Sequence, residues 1–397
     1  MFEPQDHPDD FRYPGGPPIP PYDIAGWTLA MQMGVQYDRI LENFDGPFAA
    51  VNGVAAPPAG QISGMNPAAS YCLGHQTNDA FIIVNRLLKS GKDVYWMQKD
   101  GAFCTSASPQ TQELIAKGAK ELGVPAMAMA TTPGGAAYKL KPLRIGLYDQ
   151  YGGLAPSGWT RWILEQFEFP FEVVYPQTLD AGSLREKFDV LLFTDGAFQT
   201  GGRGGGGQQR TDNIPVDYQG WTGRITAETT VPQIKKFVEA GGAVLTIGSS
   251  TSLGGLLGVP ITDHLVKPAA DGATKALSRD DFYVPGSLLR VKLDTSNPIT
   301  QGMSPDTVVF FDNSPVFKTP ATAKSVATYE GAESLASGWA WGQKYLDGGT
   351  AVAEATVGEG KVFLFGPEIA FRAQPHGTFK LLFNSLLYGS AQAIMLP

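Results

Sequence analysis

The chain has 397 residues, 43% of them hydrophobic and 17% charged, with 48 Gly, 30 Pro and a formal net charge of −8. That length and apolar content suit two domains with sizeable cores, and the Gly and Pro content demands long ordered loops. The acidic balance supplies no basic stripe to neutralise phosphates, which excludes nucleic acid as a partner, and no apolar run approaches the ~20 residues of a membrane span.

Residues 1–68 read as an irregular Pro/Gly-rich segment with one short helix. EPQDHPDD is acidic, and YPGGPPIPPYD lacks the donors and the stiffness of a helix or central strand. Such a segment is stable only along a domain surface. Asp23 is a cap for a helix reaching Met33, with Ile24, Trp27 and Met31 on one face. No secretory signal opens the chain, and its acidic, Pro-rich start reads as a cut inside a longer protein.

Residues 69–132 predict a small α/β domain. Strands are expected at 69–73, 93–97 and 124–130. Between them lie a helix at 78–90, closed by Gly91, and a second from the Ser108-Pro109 start to Leu122, stopped by Gly123. Residues 131–140, with Pro133-Gly134-Gly135, read as the linker. Cys72 and Cys104 fit either one disulfide or two buried thiols. Cys104 has no nearby cation or base and is read as structural.

Residues 141–397 form the larger domain. The run 144–148 is a buried strand, 149–157 a Gly-rich turn, and Ser157 the cap of a helix with Trp159, Trp162, Ile163 and Phe167 inward. The run 171–175 completes a strand–helix–strand unit of a parallel sheet. Strands follow at 188–193 and 243–247, with a helix from Thr230 between them. The run GGRGGGGQQR, 201–210, lacks the Lys and the helix start of a phosphate loop and is read as a flexible loop. Residues 259–345 carry short β-like runs at 288–293, 307–311 and 325–329, an antiparallel insertion. A hairpin at 351–355 and 361–365 and a helix at 378–387, stopped by Gly389, close the chain. The fold class is therefore α/β, with two flavodoxin-like doubly wound parallel-sheet domains, the second larger with an antiparallel β extension.

The catalytic candidates sit at strand ends. Gly248-Ser249-Ser250 follows the strand 243–247, where a sharp turn into a helix exposes a hydroxyl beside backbone N–H groups. The competing reading is that Ser250 or Ser252 caps the next helix, and the second Gly of a G-x-S-x-G pattern is missing. A nucleophilic serine needs a base. His376 lies after the last sheet strand, close to Glu368 and Arg372, and loops at the carboxyl ends of parallel strands converge on one crevice. The alternative there is an Arg372–Glu368 pair with His376 packed against the last helix. Asp195, at the end of the strand 188–193, joins Arg372, Tyr151 and Trp221 as candidate binding residues. Tyr13, Tyr22, Tyr151, Tyr218, Trp221 and Trp339 all fall in Gly- or Pro-rich loops, where aromatics anchor sugars, peptides or partner domains or else cover core edges. There is no H-x-x-E, no H-x-H and no Cys pair at ligand spacing, and the one cation site the acidic start offers, His7 with Asp6, Asp9 and Asp10, is weighed against a plain solvated loop, so no metal and no cofactor is expected. His7 among Asp6, Asp9 and Asp10 reads as a solvated loop, and His75 with Asp79 as a helix-entry contact.

Three segments, 14–35, 144–176 and 360–389, resemble the C-terminal region of large bacterial zinc-carboxypeptidase-like proteins. In those proteins a secreted metallopeptidase domain precedes a region whose later part resembles the class I glutamine amidotransferase fold. The resemblance implies a flavodoxin-like sheet, an extracytoplasmic location, a metallopeptidase domain as partner, and a somewhat stronger case for a Cys72–Cys104 bridge. The zinc ligands and catalytic Glu of that family belong to the other domain, and none is matched here. The amidotransferase fold places a Cys at the strand-to-helix elbow; here Ser249 and Ser250 stand there, and Glu368 and His376 follow the last strand in a different spacing. The expectation is a non-catalytic accessory module that supports a peptidase domain or binds peptide or glycan. The alternative is an ester or amide hydrolase with Ser250 or Ser249 as nucleophile, His376 as base and Glu368 as orienter. A third reading is self-association through the Gly-rich and aromatic loops.

Overall fold

The structure is a computed structural model and describes residues 2–22, 24–198, 213–270 and 272–397. The Gly-rich run 201–210 and the proposed cap Asp23 lie outside the described residues. The chain divides into two compact units, one of residues 1–34 and 143–390, the other of 35–142 and 391–397. This differs from a division at 68 and 141. The first 34 residues belong to the larger unit, and the last seven return to the smaller.

The smaller unit is α/β, with strands β1 (Ile62–Gly64), β2 (Ser70–Leu73), β3 (Tyr95–Met97), β4 (Phe103–Ser106), β5 (Ala126–Met129) and β6 (Gly135–Lys139) and helices α1 (Ala80–Lys89) and α2 (Pro109–Leu122). The order across the sheet is β1-β5-β2-β4-β3-β6, followed by the chain's last strand, Gln392–Leu396. Here the doubly wound parallel expectation is corrected: only β1 and β5 run parallel, and every other pair is antiparallel. The cause is the strand β4, hidden in sequence between Gly101 and Ser108. Only residues 98–102 separate it from β3, far fewer than the dozen or so a parallel crossover needs. The expected linker is also a strand, since β6 pairs with both β3 and Gln392–Leu396.

Helix α2 starts as its sequence dictates: Ser108 Oγ accepts from Thr111 N at 3.1 Å, Pro109 takes the first helical position, and Gly123 ends the helix at φ 70°. His75, 1% exposed, binds the Gly101 carbonyl through Nδ1 at 2.8 Å and stacks on Phe103. It is thus a satisfied core residue. Cys72 and Cys104 face each other across β2 and β4 and form a disulfide. Their sequence separation of 32 puts the loss from removing the bridge at about 2–4 kcal/mol. Cys72→Ala/Cys104→Ala should accordingly lower the thermal midpoint of the smaller unit, and dithiothreitol should do the same to the parent but leave the double variant unmoved.

The larger unit contains β7 (Ile145–Tyr148), α3 (Ala155–Gln166), β8 (Phe171–Val174), β9 (Val190–Phe193), α4 (Thr230–Glu239), β10 (Ala243–Ile247), β11 (Ser287–Leu293), β12 (Asp306–Phe311), β13 (Lys324–Tyr329), β14 (Thr350–Val357), β15 (Gly360–Phe365) and α5 (Phe379–Ser390). Strands β8-β7-β9-β10-β15 are all parallel. Numbered by appearance among themselves, they run 2-1-3-4-5, the doubly wound order of flavodoxin-like sheets. Strand β14 then turns antiparallel and leads through β13 and β11 to β12. The expected β extension is therefore present.

The inner strands of this set read as largely apolar runs because both faces are covered, whereas the edge strand β8 exposes Glu172. On one face Leu191, Phe193, Val244, Val362 and Leu364 pack with Ile234, Phe237 and Val238 of α4. On the other, Phe363 meets Tyr388 of α5, and Phe383 of the same helix packs on Phe167 at a centroid distance of 4.7 Å. Helix α3 begins at Ala155, with Leu154 as its cap and Pro156 in the first turn. Ser157 is therefore an interior, fully buried residue, and Trp162 is 47% exposed on the outer face. The N-terminal segment lies along this unit as its composition required. Trp27 N donates to Gln5 Oε1 at 2.7 Å, Gln5 N donates to Ser337 Oγ at 2.8 Å, and Trp339 Nε1 donates to Asp9 at 2.8 Å. Trp339 is consequently 2% exposed, buried by this strap, and is not a surface aromatic.

Candidate functional site

All five parallel strands point the same way, so the loops after β7, β8, β9, β10 and β15 share one edge of the sheet. Two side-chain clusters form there.

The first is the turn after β10. Ile247 is extended, Gly248 takes φ 59°, and a short 3-10 turn, Gly248–Ser252, follows. The residue at the sharp elbow, where a nucleophile would sit, is therefore Gly248, which has no side chain. The hydroxyls beyond it bind the protein itself. Ser249 Oγ donates to Asp195 Oδ1 at 2.6 Å and accepts from Gly196 N at 3.0 Å. Ser250 Oγ, fully buried, donates to the Thr194 carbonyl at 2.6 Å and accepts from Phe198 N at 3.0 Å. Thr251 and Ser252 donate back to the carbonyls of Gly248 and Ser249. Four successive hydroxyls thus clamp this turn, two of them to the loop after β9.

The proposed base lies elsewhere in the network. The chain kinks at Arg372 and Ala373, with φ 50° and 56°, and His376 stacks on Phe379 at the start of α5. Both bonds of the Ser250 hydroxyl go to backbone groups, so the structure does not join Ser250 to His376. Arg372 does not pair with Glu368 either; its guanidinium lies over Trp27, 5.3 Å from the ring centroid. Glu368 faces the Gly248 elbow with Asp195, since a Cβ built on Gly248 would lie 2.5 Å from an oxygen of each. Glu368 is 7% exposed, and burial, reinforced by the charges of Asp195 and Asp312, pushes its carboxyl well above the usual range.

The second cluster is a pocket of about 350 Å³ lined by residues 149–153, Arg161, Tyr175, Pro215, Tyr218 and Trp221. It contains Tyr151 and Trp221, two of the residues expected to bind. The backbone N–H of Tyr151 donates to the Trp221 carbonyl at 3.0 Å, tying the loop after β7 to the segment holding Tyr218 and Trp221. Trp221 stacks on Tyr175 with centroids 4.8 Å apart and planes 4° apart, and Tyr218 stands edge-on to it. Asp149 Oδ1 accepts from the backbone N–H groups of Gln150 and Leu154, which fixes the Gly-rich turn. Asp149 Oδ2 faces Arg161 Nη1 at 3.9 Å. Burial and the nearby Asp149 charge raise the Tyr175 hydroxyl above its ordinary range, so it stays protonated. Sequence reading missed Asp149, Arg161 and Tyr175. The signal was there in part: an Asp at the end of a strand, two Gly, and an Arg in the helix that follows.

Among the described residues, no group of three or more His, Cys, Asp or Glu is placed to hold a metal ion, and no helix is long and apolar enough to cross a membrane.

The strand order and the edge site define the larger unit as a doubly wound α/β unit of flavodoxin-like topology; the smaller unit is α/β and mostly antiparallel. Compared with known protein families and curated protein sequences, the chain matches none. Similar solved structures include glutamine amidotransferase-like proteins. One is a glutamine amidotransferase from Thermotoga maritima, 11% identical over 62% of this chain and 98% of that one, with a TM-score of 0.35. Another, from Thermoplasma acidophilum, is described as part of a putative GMP synthase; it is 11% identical over 62% of this chain and 93% of that one, with a TM-score of 0.36. A β-galactosidase from Bacillus circulans sp. alkalophilus is also similar, 10% identical over 63% of this chain and 32% of that one, at a TM-score of 0.34.

Proposed function

We propose that the chain is a non-catalytic binding module whose larger unit holds a small ligand in the aromatic pocket at the carboxyl edge of its sheet. The observation that carries this reading is the contrast between the two clusters. The serine turn spends its hydroxyls on the protein's own backbone and on Asp195, whereas the pocket leaves Trp221 38% exposed among ordered aromatic walls. The Ser250 hydroxyl is held in two bonds to backbone groups, and among the described residues neither partner is a base.

In the same reading the module comes from the C-terminal region of a secreted zinc-carboxypeptidase-like protein, where it packs on or supports the metallopeptidase domain. The three resembling segments motivate that origin. The Cys72–Cys104 disulfide supports an oxidising, extracytoplasmic compartment. A hydrolase remains the competing function, favoured by the Ser249–Asp195 bond, in which a carboxylate accepts a hydrogen bond from the serine hydroxyl.

Assay of the full chain on p-nitrophenyl esters and peptide amides separates the two. No turnover above buffer is expected for the parent, Ser249→Ala or His376→Ala. Turnover by the parent that disappears in Ser249→Ala would establish the hydrolase and end the non-catalytic reading. Ser250→Ala should act on stability instead, since it frees the buried Thr194 carbonyl and the Phe198 N–H at a cost of about 1–3 kcal/mol.

A further inference from the structure

We infer that the aromatic pocket takes a neutral saccharide, one sugar ring lying against the Trp221 corner with its hydroxyls on Asp149 and Arg161. This rests on the binding-module reading and names its ligand class.

The size comes first. A cavity of about 350 Å³ lies at the small end of the ~300–1,000 Å³ found for small-molecule sites. It suits one or two rings and leaves no room for a folded partner. The rim is open, because at Gly152 and Gly153 an added side chain would meet no atom of the described residues within 4 Å.

The walls come next. Trp221, backed by Tyr175 on one side and cornered by Tyr218, still shows 38% of its surface to water. The stacked pair holds the indole in place before any ligand arrives, so a ring that covers it loses little further side-chain freedom. The apolar C–H face of a pyranose covers such a surface and gains its burial.

Charge then selects the class. Among the described residues, those lining the pocket carry one anion, Asp149, and one cation, Arg161, and these two face each other at 3.9 Å. A phosphate or carboxylate ligand would have to compete with Asp149 for the guanidinium, and an amine would have to compete with Arg161 for the carboxylate. A hydroxyl donates and accepts at once. Neighbouring ring hydroxyls can therefore use Asp149 Oδ2 as acceptor and Arg161 as donor without breaking the pair. The protonated Tyr175 hydroxyl is a further donor on the same wall.

Saturation-transfer NMR and tryptophan fluorescence on the full chain would test this. The probes are methyl β-glucoside, N-acetylglucosamine and cellobiose, against glucuronate, glucosamine and the tripeptide Gly-Gly-Phe. The expected result is saturable binding of at least one neutral sugar. It should weaken about tenfold or more in Trp221→Ala and severalfold in Arg161→Gln. Arg161 is 40% exposed at its side chain, so Arg161→Gln keeps the fold and guards against a Trp221 variant that merely unfolds. Binding of no neutral sugar, or sugar binding that both variants leave intact, overturns the inference. So does tighter binding of glucuronate or glucosamine than of the neutral probes. Binding of the tripeptide alone, lost in Trp221→Ala, overturns the saccharide class and leaves the binding module standing; the ester assay judges that module separately.

Discussion

Gly248→Val should destabilise the larger unit by on the order of 4 kcal/mol, read as a large fall in its urea midpoint. The backbone at this elbow has φ 59°, a conformation that strains any residue with a Cβ and strains a β-branched one most. Space is the second cost. The new Cβ would lie 2.5 Å from Asp195 Oδ1, 2.5 Å from Glu368 Oε1 and 2.9 Å from the Asp195 Cβ. Neither carboxylate is a loose end that swings aside. Asp195 is held by the backbone N–H and the hydroxyl of Ser249, at 2.8 and 2.6 Å. Glu368 is buried, and its backbone N–H donates to the Phe310 carbonyl of strand β12. Gly255→Ala is the control. It lies in the helical turn Leu253–Leu256 with no atom of the described residues within 4 Å of an added Cβ, and it should gain about 0.5 kcal/mol or stay level. Equal midpoints for the two variants would show that the elbow yields, and the tight carboxylate pairing would then be wrong. The same geometry bears on function, since the position best placed for an elbow nucleophile is one where the fold tolerates no side chain.

Much of the larger unit was legible because its signals are local. Apolar runs of four to six residues, such as β9, β10 and β15, alternate with amphipathic helices, and a right-handed crossover leaves them few arrangements. The smaller unit was harder to read for reasons equally physical. Strand β4, FCTS, has no alternating pattern of its own and becomes a strand by pairing with β2 and β3. Strand β6 looks like a linker, and its partner on one side, Gln392–Leu396, lies some 250 residues away in the chain. No local periodicity reports a contact at that range. The site divides in the same way. Tyr151 and Trp221 stand out in sequence as aromatics in Gly-rich loops, but so does Trp339, which is buried, so the pattern alone does not separate a pocket wall from a core edge. The fate of Ser250 was not visible, since a hydroxyl that caps a carbonyl and one that attacks a substrate look alike in sequence. Only the Thr194 carbonyl at 2.6 Å decides it. Arg372 and His376 both follow β15, which in sequence places them at the same sheet edge as the serine turn. The left-handed kink at Arg372 and Ala373 instead places the guanidinium over Trp27, on a strap residue far away in sequence.

Glu368→Gln should raise stability at neutral pH and above, and the gain should vanish in acid. Glu368 is 7% exposed, and its carboxyl is pushed well above the ordinary 4.5, first by burial and then by Asp195 and Asp312. The folded protein therefore keeps this proton at pH values where the unfolded chain has released it. The native state binds more protons across the window that starts near 4.5, so stability falls as pH rises. The contribution is fully present below the unfolded value and is lost as pH climbs through the folded one. The slope approaches about 1.4 kcal/mol per pH unit while the two states differ by one proton. Glutamine has no proton to lose, so in the variant this slope disappears. Urea midpoints of parent and variant, taken from pH 4 upward, should diverge in favour of Gln as pH rises and level off once Glu368 ionises in the folded protein. A difference that stays constant with pH would mean that Glu368 ionises freely in the folded protein. Asp312→Asn then separates the causes. Removing that charge should lower the Glu368 value and shorten the window, but burial, the leading cause, should keep most of it.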